Sequence, residues 1–247
     1  MSVLILALAS GAVVGLALGA LGGGGSVLAI PALIYLLGLT PAAATTASLF
    51  IVTATSATAL YAHARAGRVR WKPGAAFAAA GVVPAAAAGL AATRLPDAVL
   101  TSAFAALAAL AAVKMLRPAA QRERGEVRPL RAGGAGAGLG AVTGLLGVGG
   151  GFLAVPALVT VLAFEMQAAV GTSLLVITVN SLTSLVTRSG GAAGMDWAVT
   201  APFTGAAILG AWDGKRLAER VSGRGLQRLF ALVLLAVAAF MLGDALI

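Results

Sequence analysis

Two stretches of the chain, GALGGGGSVLAIPAL at residues 19–33 and GLLGVGGGFLAVPAL at residues 144–158, are copies of one glycine-rich pattern. Pro31 aligns with Pro156, which sets the offset between the copies at 156 − 31 = 125 residues, about half of the chain. A run of glycines ends a helix, because each glycine costs about 1 kcal/mol relative to alanine. The repeat therefore predicts two equivalent helix breaks, one in each half.

The composition is that of a helical membrane protein. Apolar residues make up 60% of the chain and charged residues 10%, whereas about 25% charged residues is typical of soluble proteins. Mean hydropathy is +1.00, and several apolar runs reach the roughly 20 residues that a spanning helix needs. The alternation typical of an outer-membrane barrel is absent. We therefore expect an all-α polytopic protein in a lipid bilayer.

Breaks in the apolar pattern predict five helical segments in each half, in the same order. A first span and a short proline-containing segment flank the glycine break and form a glycine-broken hairpin, because the short segment cannot cross the bilayer alone. A long helix and two more spans follow. The predicted domains are a first repeat at 1–116, a linker at 117–131 and a second repeat at 132–247. The predicted segments are 2–21, 26–39, 41–63, 73–92, 97–116, 132–147, 151–164, 166–188, 196–213 and 226–246.

Positive charge is concentrated in three connections, at 63–72, in the linker 117–131 and in a predicted loop near 214–228. These connections should be cytoplasmic, and both termini external, in a prokaryotic inner membrane. A basic connection follows the third segment of the first half, but its counterpart TRSGGAAGMDW (187–197) is poor in charge. Equivalent positions should then lie on opposite sides, which predicts inverted-topology repeats. This distribution also accounts for the net charge of +9 without nucleic-acid binding.

The helix starts after the two breaks are candidate anion sites. A helix that begins in the protein interior has unpaired backbone amides at the positive end of its dipole, and such ends bind anions. In inverted repeats the two ends can face each other near the membrane midplane. The candidate substrate-binding residues at the breaks are Gly22, Gly23, Gly24, Gly25, Ser26, Gly147, Gly149, Gly150 and Gly151.

The third segment of each half supplies polar side chains for the same site. Thr55 matches Asn180 at the repeat offset. A hydroxyl in a membrane helix can simply bond its own backbone, but a buried amide needs several partners. Acidic residues occur only near segment ends, which favours an anion over a cation or a proton relay. The candidate residues here are Ser48, Thr55, Thr172, Ser173 and Asn180.

Several other residues are expected to be structural. Glycines spaced by four at 11–19 and 136–144 are typical of close helix packing. His63 ends the third segment, where we expect an interfacial residue at the cytoplasmic surface. Cysteine is absent, and no nucleophile, metal cluster or pair of carboxylates lies within a predicted span. We therefore expect no enzyme activity, metal or cofactor.

Three sequence features, each present in both halves, resemble the TauE/SafE family of sulfite exporters and sulfonate permeases. They are the doubled L-G-x-G-G-[GS]-x-L-x-[VI]-P-x-L, the elements TASL (46–49) and GTSL (171–174), and tryptophan-containing exits at GRVRW (67–71) and GMDW (194–197). The resemblance covers nearly the whole chain. It implies transport of small sulfur-containing anions such as sulfite, sulfoacetate or related organosulfonates. The first half departs from the pattern, with Ala47 where the second half has Thr172.

Together, these features predict a secondary transporter that exports small sulfur-containing anions by alternating access around a midplane site. The predicted partners are a small anion and the bilayer. An anion channel, or a carrier of small carboxylates with the same architecture, is the alternative. Voltage-dependent flux separates a channel from a carrier, because channel rates far exceed carrier turnover.

Overall fold

A computed structural model describes residues 2–22, 26–92, 97–116, 129–146, 151–187 and 195–245. These residues form ten helices and no strand, which confirms the predicted all-α class. The first half contains α1 (Ser2–Leu21), α2 (Ser26–Pro31), α3 (Pro41–Arg65), α4 (Trp71–Ala92) and α5 (Asp97–Leu116), and a π-helical turn at Ala32–Leu36 continues α2. The second half contains α6 (Pro129–Leu146), α7 (Gly151–Thr160), α8 (Met166–Thr187), α9 (Trp197–Arg220) and α10 (Gly223–Ala245).

By length and composition, five of the described helices are able to cross a membrane. The short helices differ from them: α7 has 10 residues, about 15 Å at helical rise, which is half the hydrocarbon thickness of a bilayer. The helices that follow the two glycine runs, α2 and α7, are therefore short, as the sequence predicts. The five candidate spans are Val3–Leu21, Ala43–Arg65, Trp71–Ala91, Met166–Thr187 and Gly223–Phe240.

The loop predicted near 214–228 is wrong, because α9 continues to Arg220 and α10 begins at Gly223. Ion pairs one helical turn apart support this extension. Lys215 Nζ lies 3.6 Å from Glu219 Oε1, and Arg216 Nη1 lies 3.1 Å from Asp213 Oδ1. The charged residues that suggested a loop therefore form the exposed last turns of a helix.

The two halves pack on each other through two equivalent helix pairs, whose interfaces we call seams. The first helix of each half packs on the fourth helix of the other half, so that α1 lies on α9 and α6 lies on α4. The glycines spaced by four face the partner backbone, where an added Cβ would overlap main-chain atoms, so packing is their role. The facing pairs are Gly11 with Phe203, Gly15 with Ala207, Gly19 with Ala211, Gly136 with Phe77, Gly140 with Gly81, and Gly144 with Ala85.

The same contacts define helix directions. Residue numbers rise together along each seam, so α1 runs parallel to α9 and α6 runs parallel to α4. His63 Nε2 donates a hydrogen bond to the carbonyl oxygen of Gly19 at 3.2 Å, which places the last turns of α1 and α3 side by side. Residues 66–70 then turn the chain back into α4. Accordingly, α4 and α6 run opposite to α1, and the first helices of the two halves are antiparallel.

The basic segments of the two halves meet at one end of the bundle, which we call the basic end. Arg68 Nη2 lies 3.3 Å from Glu219 Oε1, so the α3–α4 connection contacts the last turn of α9. Gln227 Nε2 donates to the carbonyl oxygen of Met115 at 2.6 Å, so the start of α10 lies beside the end of α5. The antiparallel first helices and this shared basic end favour inverted repeats with the basic end in the cytoplasm. That membrane orientation, and the repeat boundaries, stay predictions.

Candidate functional site

A band of small polar side chains lies where α3 and α8 cross between the seams. Ser56 Oγ and Thr178 Oγ1 are 2.9 Å apart across the crossing. The Thr178 hydroxyl donates to its own helix, to Leu174 O at 2.7 Å, so Ser56 is the donor between the helices. Neighbouring side chains of the same band, Thr55 and Asn180, are buried. The polar band therefore joins one long helix from each half.

Two equivalent positions of this band hold polar atoms without a partner. Thr55 is 0% exposed and Asn180 is 1% exposed. Neither Thr55 Oγ1 nor Asn180 Oδ1 has a hydrogen-bond partner among the described residues. The great majority of buried polar atoms in proteins have a hydrogen-bond partner, so a buried atom without one calls for a ligand or a water molecule. Ser184 Oγ and Thr200 Oγ1 are buried and unpaired in the same way.

The bare backbone of Gly81 makes room for the Asn180 amide. A Cβ at Gly81 would lie 3.2 Å from both Nδ2 and Oδ1 of Asn180, and 3.0 Å from Gly136 O. Asn180 therefore lies beside the α4–α6 seam as well as in the polar band. Sequence reasoning did not select Gly81, although a glycine in the interior of a span is the signal that identifies such a close approach.

The described end of the first glycine break lies against the start of α8. Gly22 has a φ of +66°, which favours glycine. A Cβ there would also lie 2.6 Å from Ser173 Oγ and 3.0 Å from Val170 O. Ser173 Oγ donates to Val170 O at 2.8 Å. Ser173 precedes Asn180 by seven residues, about 10 Å along the helix, so Gly22 lies on the side of the band nearer the basic end.

Thr172 anchors the connection between α3 and α4. Its Oγ1 accepts a hydrogen bond from the backbone N–H of Arg70 at 3.0 Å. A Cβ at the neighbouring Gly171 would lie 2.8 Å from Arg68 O, so the start of α8 and this connection are in close contact. The predicted substrate residue Thr172 therefore also has a structural partner, which the sequence did not reveal.

The remaining predicted site residues divide into buried and undescribed positions. Ser48 is fully buried on α3 and already takes part in an interaction. Ser26 and Gly151 are the first residues of α2 and α7. The predicted residues Gly23, Gly24, Gly25, Gly147, Gly149 and Gly150 lie outside the described residues.

His63 is buried, so its expected place at the surface is wrong. The side chain is 1% exposed. Because a carbonyl can only accept, Nε2 carries the hydrogen that bonds Gly19 O, while Nδ1 has no partner among the described residues. The ring lies close to the ionic contacts of the basic end. Arg68, Lys215 and Glu219 are near enough to act on it electrostatically. A histidine near a helix end gave no signal of this burial.

Comparison with known proteins agrees with this architecture. The family described as sulfite exporter TauE/SafE matches residues 7–241. A probable membrane transporter protein of Xylella fastidiosa (strain 9a5c) is 35% identical over 97% of this chain and 95% of its own length. A second protein of the same description, from strain Temecula1, is 33% identical over the same shares. No solved structure matches the chain significantly. The chain therefore belongs to the TauE/SafE family of membrane transporters.

Proposed function

We propose that this transporter is a secondary carrier that exports small sulfur-containing anions, such as sulfite or organosulfonates, by alternating access. The family description supports the substrate class, and the curated relatives support transport. The observation that carries the proposal is a pair of buried polar atoms at equivalent positions of the two halves, Thr55 Oγ1 and Asn180 Oδ1, which have no partner among the described residues. A bound oxyanion accepts a hydrogen bond from the Thr55 hydroxyl and from the Asn180 Nδ2 group, while Asn180 Oδ1, which can only accept, takes a hydrogen bond from water or from a protonated anion.

The proposed substrate site is the polar band between α3 and α8. The Thr55 hydroxyl and the Asn180 amide each carry hydrogen-bond donors as well as acceptors. The acidic residues described lie near helix ends, except Asp213, which is exposed about two turns before the end of α9. Donors without a fixed negative charge favour an anion. Gly22, Ser173 and Ser48 form the proposed margins of the site, and Ser26 and Gly151 begin the helices whose first amides the sequence assigns to it.

The proposed cycle uses the exchanged helices as rigid pairs. The glycine seams hold α1 to α9 and α4 to α6 through backbone contact, whereas α3 and α8 meet through small polar side chains. Close backbone packing makes each pair a stiff unit. In the inverted-repeat arrangement with both termini external, rocking of these pairs about α3 and α8 opens the site to one side at a time.

Binding and flux measurements on the purified protein test the proposal. Affinities for sulfite, thiosulfate, sulfoacetate, taurine and short carboxylates are measured for the wild type, Thr55→Val, Asn180→Leu and Thr143→Val. Thr143 is the matched control, because it is equally buried but donates to Leu139 O at 2.8 Å. We expect sulfur oxyanions to bind best, with weaker binding only in the first two variants.

Three outcomes would overturn parts of the proposal. Equal affinity in all four proteins removes the polar band from the site. Stronger binding of carboxylates than of sulfur oxyanions assigns a different substrate class. Voltage-driven flux in reconstituted vesicles at rates far above carrier turnover identifies a channel.

A further inference from the structure

Two grooves on the outside of the bundle lie at equivalent positions of the two halves. The first groove is formed by α1, α2 and α10 and has a volume of about 440 Å³. The second is formed by α6, α7 and α5 and has a volume of about 230 Å³. At the offset of 125, Val14, Leu28 and Pro31 of the first correspond to Leu139, Leu153 and Pro156 of the second.

The grooves differ at one end. In the first groove the Tyr35 and Phe240 rings pack edge to face with centroids 5.0 Å apart. The corresponding positions of the second groove are Thr160 and Lys114. Phe240 and Lys114 are equivalent because both lie 17 residues after their helix starts, Gly223 and Asp97. An aromatic pair in one groove is therefore replaced by a hydroxyl and an ammonium group in the other.

Lys114 is a cation beside an apolar wall, without a carboxylate partner in the part of the chain that the structure describes. It lies in the last turn of α5, at the basic end. The wall beside it is apolar and open to the outside, since Leu110 is 52% exposed. An ammonium group next to an open apolar groove complements a molecule with an acyl chain and an anionic head group.

We propose that the groove between α5, α6 and α7 binds an anionic phospholipid from the leaflet at the basic end. The acyl chain lies along Leu139, Leu153 and Pro156, and the phosphate group pairs with Lys114. The equivalent groove lacks the cation and faces the opposite leaflet, so it does not select charge. Because α7 directly follows the second glycine break, the lipid contacts the short helix beside that break. The lipid site does not depend on which anion is transported.

Native mass spectrometry of the full chain with added lipids tests this proposal. Phosphatidylglycerol and phosphatidylcholine with the same acyl chains are compared on the wild type, Lys114→Gln, Lys114→Arg and Lys72→Gln. Lys72 is the matched control, an exposed cation at the basic end that lies outside the groove. We expect the wild type to prefer phosphatidylglycerol, and Lys114→Gln to weaken that binding about fivefold. Lys114→Arg and Lys72→Gln should keep the preference.

A gain-of-charge variant tests the comparison from the other side. Phe240→Lys puts an ammonium group in the first groove and should add a second bound phosphatidylglycerol. Equal binding of the two lipids by the wild type, or equal losses in Lys114→Gln and Lys72→Gln, would overturn the proposal. So would a dimer that excludes lipid, because the groove would then be an interface between two copies of the chain. If Lys114→Gln does not fold, loss of the wild-type preference at high salt decides instead.

Discussion

The seam between α1 and α9 and the seam between α4 and α6 are built alike, whereas the two long helices that cross between them are not. Gly15 on Ala207 has its counterpart in Gly140 on Gly81. Along α3 and α8, by contrast, equivalent positions of the two copies hold different residues: Thr55 corresponds to Asn180, and Ala47 corresponds to Thr172. A backbone contact allows only small residues, so both copies keep them. One bound ligand needs only one set of donors, so the polar copies can differ.

The largest expected effect is at the seams. Gly15→Ala and Gly140→Ala place a methyl group into a neighbouring backbone, and overpacking of this kind costs about 1–3 kcal/mol or prevents folding. Gly205→Ala on α9 and Gly134→Ala on α6 are matched controls, because no atom of the described residues lies within 4 Å of an added Cβ at either position. The midpoint of thermal unfolding should fall only in the seam variants.

If the seams are truly equivalent, the two seam variants should lose similar stability. A control that loses as much as a seam variant would show that any methyl group on these helices is harmful. A large loss of stability for Gly15→Ala alone would show that the two seams contribute differently to stability despite their similar geometry.

The next effect concerns the asymmetric crossing. Asn180→Leu removes both the donor and the acceptor of the amide, and should weaken anion binding by about 1–3 kcal/mol, roughly 5- to 150-fold. Thr55→Val removes one hydroxyl and should cost less. Because Thr55 Oγ1 and Asn180 Oδ1 have no hydrogen-bond partner among the described residues, both variants should be at least as stable as the wild type when no anion is present. Unfolding with and without sulfite measures both quantities.

The direction of these two changes is the decisive point. Weaker binding together with lower stability in the absence of ligand would mean that Thr55 and Asn180 support the fold rather than the substrate. Equal losses of affinity in the two variants would mean that Thr55 and Asn180 contribute equally to binding, so that the crossing would be as symmetric as the seams.

A smaller effect is expected at His63, which has Arg188 as its counterpart in the sequence. His63→Phe keeps a buried ring but removes the hydrogen bond to Gly19 O, so stability should fall by about 0.5–1.5 kcal/mol. Tyr61→Phe is the control on the same helix, since Tyr61 is 56% exposed. Chemical denaturation of both variants is the measurement, and equal stabilities would remove His63 from the contact between α1 and α3.

The smallest effect should come from the ionic contact at the basic end. Arg68 and Glu219 are 22% and 38% exposed, and such pairs contribute about 0–1 kcal/mol. Glu219→Gln should cost slightly more than Arg68→Gln, because Glu219 also pairs with Lys215. The difference from the wild type should shrink at high salt. A salt-independent loss larger than that of His63→Phe would contradict this account.

Much of the fold follows from local chemistry that is visible in the sequence. Runs of apolar residues define α3 and α8, and the glycines that stop α1 also identify the repeat. The end of α9 was misplaced because charged residues such as Lys215 and Glu219 serve equally well in a loop or on an exposed helical turn. Local patterns cannot separate those cases.

The site was less predictable because it depends on contacts between distant segments. Asn180 was selected from its chemistry, but that Gly81 is its neighbour follows only from the packing of α4 on α8, since an interior glycine signals a close approach without naming the partner. The burial of His63 likewise depends on Gly19 of α1 and on the last turns of α9. The hydroxyl of Thr172 is evident from the sequence, but its hydrogen bond from the Arg70 backbone amide is not.

The exchanged seams also have a consequence for biosynthesis. Only α5 and the linker separate α4 from its partner α6, so this seam can form soon after α4 is made. Helix α1, by contrast, has no partner until α9 is made, near the end of synthesis. A chain that grows at about 5–20 residues per second leaves the glycine face of α1 uncovered for many seconds. During this time lipid or an insertion factor must shield that face. A ribosome that stops between residues 146 and 197 therefore leaves a chain that contains both helices of the α4–α6 seam but has no partner for its first helix.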